Sequence, residues 1–150
     1  MKKYIITTTI NEPTEATIKF CEIADKKDFT FVIVGDTKTP HESYQKLVES
    51  YLNVVYLTPE KQEHLYPELS EIIGWKTIQR RNIGLVYAYQ SGAEIIATVD
   101  DDNIPYEFWV TTYYWVKRLK LMNMKTLHVR TLMQYQPQNI MTCGIEDFQS

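Results

Sequence analysis

The sequence predicts an α/β fold: a mostly parallel central sheet flanked by helices. Short β-branched runs alternate with segments whose apolar residues recur at helical spacing. The run Phe29 to Val34 (FTFVIV) is almost continuously apolar, as in a strand buried on both faces. A second such run, Ile95 to Val99 (IIATV), leads straight into Asp100, Asp101 and Asp102.

Tyr4 to Ile10 is expected as the first strand, rich in β-branched residues and broken by Asn11, Glu12 and Pro13. Thr14 is suited to cap a helix that sets Ala16, Phe20, Ile23 and Ala24 on one face. Phe29 to Val34 follows as the second strand and ends at Gly35-Asp36. A short helix over Glu42 to Tyr51 precedes a short strand, Val54 to Leu57. Thr58-Pro59-Glu60 starts another helix, with threonine as cap and proline in the first turn. Tyr66-Pro67 is expected to end it. Thr77 to Ser91 reads as one helix closed by Gly92. After Ile95 to Val99, Asn103-Ile104-Pro105 restarts a helix running to about Met122. Thr126 to Leu132 reads as a last strand, and the tail from Gln134 is polar.

The 150 residues fit one domain, 1–150, and can bury a sizeable core. Hydrophobic residues are 44% and charged residues 23%, the balance of an ordinary globular chain. The net charge of -3 gives no basic face and speaks against nucleic acid as a partner. Cys21 and Cys143 lie far apart with no CxxC spacing, the pattern of free thiols in a reducing compartment. The opening MKKYIITTTI has too short an apolar run for a signal peptide, and no stretch approaches a bilayer span. The expected location is cytoplasmic, with no membrane segment, either as a whole protein or as one piece of a longer tethered one.

Three adjacent carboxylates at a strand end repel one another. Two unit charges ~4 Å apart cost about 4 kcal/mol at an effective dielectric of 20. Water, an arginine or a cation must offset this. Extended backbone would place Asp100 and Asp102 on one side and Asp101 on the other. Paired hard oxygens of that kind suit Mg²⁺ or Mn²⁺. The competing reading is a solvated acidic turn that caps the helix near Pro105.

Arg80, Arg81 and Asn82 precede this strand on the predicted helix, where an arginine fork suits phosphate oxygens. Gly84 sits inside the same helix and implies close approach by a ligand or another backbone. The plainer alternative is a solvated basic face, with Gly84 serving helix–sheet packing. Gly35-Asp36 offers a carboxylate to a base or ribose, or forms an ordinary turn. His41, His64 and His128 have no ligand spacing. Trp109, Tyr113, Tyr114 and Trp115 read as core or as a contact surface, which would suit a homo-oligomer. Neither GxxxxGK[ST] nor GxSxG occurs.

The stretch Arg80-Arg81-Asn82-Ile83-Gly84, then Gly92-Ala93, then IIATVDDDNIP resembles the core of GT-A-like proteins of the STELLO type. It is similar, more distantly, to the plant reversibly glycosylated polypeptides, the UDP-arabinopyranose mutases. TTTINEPTEATIKF, FVIVGDTKTP and YLTPEKQEHL resemble earlier parts of the same pattern, so that the likeness covers about residues 4 to 110. It implies a nucleotide-diphospho-sugar transferase fold, GT-A and Rossmann-like, short at its C-terminus. It further implies Mn²⁺ or Mg²⁺ as cofactor and a nucleotide diphosphate sugar, UDP-sugar favoured, as ligand. Asp102 would bind the metal, and Asp100 would share it or face the ribose. Thr8, Thr9 and Asp36 would contact the base. Arg80 or Arg81 would meet the diphosphate, with Asn82 and Asp101 beside them. The family's Arg-Gly-Tyr/Phe-Pro type of segment has no counterpart here, and no catalytic base stands out. The expected activity is metal-dependent transfer of a sugar to an unknown acceptor. The alternatives are a sugar-nucleotide mutase or nucleotidyltransferase on the same fold, and a non-catalytic partner domain.

Overall fold

The computed structural model describes residues 1–106. The expected helix continuing to Met122, the strand Thr126 to Leu132, the polar tail, His128, Cys143 and the aromatic cluster from Trp109 to Trp115 lie outside the described residues.

The elements follow in the order β1 (Lys3–Thr9), α1 (Glu15–Lys27), β2 (Thr30–Gly35), α2 (His41–Ser50), β3 (Val54–Leu57), α3 (Pro59–Leu65) and α4 (Pro67–Ile73). A 3₁₀ turn (Ile78–Arg80), α5 (Arg81–Gln90) and β4 (Ile95–Thr98) complete them. The strands form one four-stranded sheet in the order β3-β2-β1-β4. Every neighbouring pair is parallel, with Tyr4 opposite both Thr30 and Ile96. The predicted α/β layer with its parallel sheet is therefore present, and the architecture is compatible with a Rossmann-like fold.

Helices cover both faces. On one, α1 buries Ala16, Phe20, Cys21 and Ala24, and Phe20 meets Phe31 with ring centroids 5.7 Å apart. Tyr44 of α2 stacks on Tyr56 of β3 at 5.2 Å on that same face. On the other, Ile6, Val32, Val34 and Leu57 pack with Ile83 and Ala88 of α5, against Leu69 and Ile73 of α4. Each fully buried side chain of this size stabilises the fold by roughly 1.5–3 kcal/mol.

The predicted caps form. Thr14 accepts from the Thr17 N–H and Thr58 from the Lys61 N–H, and Pro59 takes the first position of α3. Gly92, at φ +80°, follows α5 in the left-handed region that glycine tolerates. Gly84 serves helix–sheet packing: a Cβ there would lie 2.5 Å from Ile6 Cγ2 and 2.9 Å from Val34 Cγ2.

Three segments differ from the expected secondary structure. Tyr66-Pro67 ends α3 but also opens α4, because proline is as well placed at a helix start as it is poorly placed inside one. The segment Thr77 to Ser91 is not one helix. It begins as a 3₁₀ turn capped by Thr77 and becomes α-helical only at Arg81. No described residue from Asn103 to Tyr106 is helical. Among the described residues, no helix is long and apolar enough to cross a membrane.

Candidate functional site at the carboxyl edge of the sheet

In a parallel sheet wound both ways from its middle, the strand-end loops part where the winding direction reverses, and a crevice opens there. Here that point lies between β1 and β4. From β1 the chain winds through β2 to β3, then crosses back to place β4 on the other side.

The other half of the carboxyl edge is closed by protein. Gln62 of α3 is buried and donates from Nε2 to the carbonyls of Gly35 and Leu57, both at 2.7 Å, at the ends of β2 and β3. Its Oε1 accepts from Arg80 Nε at 3.1 Å and Nη2 at 2.6 Å. Arg80 also donates to Ser70 Oγ and the Gly74 carbonyl, and its guanidinium lies 3.6 Å from the Trp75 ring centre. Arg80 is 0% exposed. Burial pushes its pKa below the usual arginine range, and the nearby negative charge of Asp36 works against that shift. Arg80 thus welds α3, α4 and the 3₁₀ turn together, and its donors are engaged inside the protein instead of facing a diphosphate.

Asp36 has a similar internal role. It is 2% exposed. Its Oδ1 accepts from the Thr37 N–H and hydroxyl, and its Oδ2 from the Lys76 N–H at 2.7 Å. Lys76 sits at φ +62°, in the left-handed region, so Asp36 holds a strained loop. Those donors occupy the carboxylate that was expected to read a base. Thr8 donates to the Val34 carbonyl at 3.1 Å, a bond between neighbouring strands.

The remaining candidates gather between β1 and β4. Thr9 donates to Asp101 Oδ2 at 2.5 Å and Asn11 Nδ2 donates to the same oxygen at 3.0 Å. The Thr14 hydroxyl donates to the Asp101 carbonyl. Arg81, which opens α5, donates from Nη2 to Asp100 Oδ1 at 2.5 Å, with the arginine side chain 22% exposed and the aspartate 54%. Asn103 Nδ2 donates to the other Asp100 oxygen at 3.2 Å. Asp102 is exposed, as is Asn82 in the first turn of α5. Of the two arginines, Arg81 is therefore the one at the acidic end.

The extended backbone stops short of the triplet, and Asp101-Asp102 form a turn. The alternation expected to pair Asp100 with Asp102 does not run through that turn. Instead Asp101 faces β1 and Asp100 faces α5. The oxygens of Asp100 and Asp102 are hard donors of the kind a divalent cation takes. Among the described residues, no group of three or more histidine, cysteine or acidic side chains converges on one point. A cation here would draw on one or two carboxylates and on a ligand's own phosphate oxygens, as Mg²⁺ sites commonly do.

Tyr44 and Gln62 were not among the residues the sequence marks. Tyr44 is 0% exposed and its hydroxyl donates to the Asn11 carbonyl at 2.9 Å and to Thr9 Oγ1 at 3.3 Å. It buttresses the two residues that hold the Asp101 carboxylate. No local pattern distinguishes it from any other aromatic on an amphipathic helix.

The chain matches no protein-family model, and a search of curated proteins returns no match.

Proposed function

We propose that this chain binds a nucleoside diphosphate sugar between β1 and β4 through Mn²⁺ or Mg²⁺, in the manner of a GT-A domain, and serves sugar transfer. One observation carries the reading. The acidic triplet stands at the reversal point of a doubly wound sheet, with Arg81 opening a helix directly across from it. Asp102 and Asp100 would hold the cation, and Arg81 would meet the diphosphate. A bound divalent cation neutralises charge on a departing diphosphate. Thr9 and Asn11 fix the strand end that carries these groups. The preference for a UDP-sugar comes from the resemblance to the STELLO type.

Thermal unfolding with UDP and UDP-sugars, with and without Mn²⁺, tests the binding half. A ligand at 100 times its Kd adds about 2.7 kcal/mol of stability. The expected result is stabilisation that needs both components and is lost in Asp102→Ala. Equal melting in all conditions would remove the proposal. Release of labelled sugar to an acceptor tests the transfer half.

A second reading is a non-catalytic partner domain. It is favoured by the protein partners that Asp100 and Asp101 already have in Arg81, Thr9 and Asn11. Self-association in light scattering, with no response to nucleotide or metal, would select it.

A further inference from the structure

The Arg81–Asp100 pair raises a question that the proposed function leaves open. A cation drawn to Asp100 meets a carboxylate whose Oδ1 already has a guanidinium nitrogen 2.5 Å away and whose Oδ2 accepts from Asn103 at 3.2 Å. Two positive groups competing for one carboxylate oppose each other. Arg81 also carries an unmet demand. Its Nε is buried and has no hydrogen-bond partner. A buried N–H without an acceptor is an unfavourable state that an incoming acceptor relieves. A phosphate group offers several strong acceptor oxygens to an arginine fork and suits it better than a single carboxylate contact.

We infer that Arg81 exchanges partners: it holds Asp100 in the protein alone and turns to the phosphates of a bound nucleoside diphosphate, freeing Asp100 for the divalent cation. The inference rests on the nucleotide-binding reading and adds how the site is regulated. Cation and nucleotide then bind with positive coupling that runs through one ion pair. By linkage the coupling is reciprocal: each ligand tightens the other by the same factor. Arg81 acts as an internal stand-in for the cation and keeps the Asp100 charge paired until phosphate arrives. Asn103, which donates to the second Asp100 oxygen at 3.2 Å, keeps that carboxylate oriented during the exchange.

The test is titration calorimetry on the full chain with MnCl₂ alone, UDP alone, and each in the presence of the other. Wild type is expected to bind Mn²⁺ weakly alone and about 10-fold more tightly with UDP, within the usual range of coupling. In Arg81→Gln, Mn²⁺ alone should bind several-fold more tightly than in wild type, and UDP should add less than about 2-fold, because the competing charge is gone. Asp100→Asn approaches the pair from the other side and does not depend on the first variant folding. It should leave Arg81 free, so that UDP alone binds several-fold more tightly than to wild type while Mn²⁺ no longer helps. Wild type that binds both ligands, with Arg81→Gln weakening or not changing Mn²⁺ binding and Asp100→Asn not strengthening UDP binding, would overturn the exchange and leave the function intact. Wild type that binds neither ligand, separately or together, would overturn both.

Discussion

Thr9 Oγ1 lies 2.5 Å from Asp101 Oδ2, and this contact fastens the end of β4 to the end of β1. Asn11 donates to the same oxygen, and Thr14 donates to the backbone carbonyl of Asp101. Asp101 is therefore the hinge pin of the acidic edge and not a free carboxylate. Asp101→Ala leaves the Thr9 hydroxyl without its acceptor in a part-buried setting, at a cost of about 1–3 kcal/mol. Asp101→Asn keeps an acceptor oxygen and should cost less. Urea midpoints for the two variants check the order; equal loss in both would argue against this contact.

Arg80→Ala is expected to destabilise by about 3 kcal/mol, since it opens a cavity and leaves Gln62 Oε1 and the Ser70 hydroxyl without donors. Arg80→Lys should not restore stability, because an ammonium cannot span the positions of the fork. The damage should be local. Amide exchange should accelerate in α3 and α4 well before α1, and uniform acceleration along the chain would count against Arg80 as the hub.

Gly84→Ala sets helix preference against packing. Alanine gains about 1 kcal/mol in a helix interior. The added Cβ would meet Ile6 and Val34 side-chain carbons at 2.5 and 2.9 Å, in the middle of the core. Overpacking of this kind costs about 1–3 kcal/mol, so the net change should be destabilising. A raised melting temperature would mean that α5 rides out from the sheet at no cost.

Stability should fall on the alkaline side. Burial, helped by the charge of Asp25, pushes the Cys21 thiol up to about 12. Burial likewise raises the Tyr44 and Tyr56 phenols above their usual values. An unfolded cysteine releases its proton near pH 8.5, so from there to about pH 12 the native chain holds a proton that the unfolded chain has lost. The Cys21 contribution is fully present below about pH 8.5 and declines above it by about 1.4 kcal/mol per pH unit, and the two phenols add to the decline only from about pH 10 upward. Urea unfolding at pH 8 and pH 10.5 measures the slope. In a Cys143→Ser background, Cys21 should react with a thiol reagent at pH 8 only when the chain opens.

The sequence made the layer plan legible because its signals are local. The run FTFVIV needs no partner to be recognised as a buried strand, and Thr14 and Thr58 announce helix starts within their own next turn. The candidate site was legible in part: Asp101 meets Thr9, and Asp100 meets Arg81, at the β1–β4 end. What stayed hidden depends on distant pairing. Arg80 and Arg81 are identical neighbours in sequence. Only Gln62, Ser70 and Gly74, brought close by the fold, bury the first, while the second stays half-buried beside Asp100. Asp36 looks like any turn residue until Lys76 is placed against it. α4 was missed because Pro67 serves equally to stop one helix and to begin another.

The strand order also has a temporal consequence. Of the described strands, β1 precedes the others in sequence, and its second side is paired only by β4, the last of them. Contacts so far apart along the chain form late, because the intervening loop must be closed before they give any return. A nascent or truncated chain ending before Ile95 would carry β1, β2 and β3 but no acidic edge. The acidic edge thus takes shape only when β4 docks beside β1, the first described strand and the last meeting side by side.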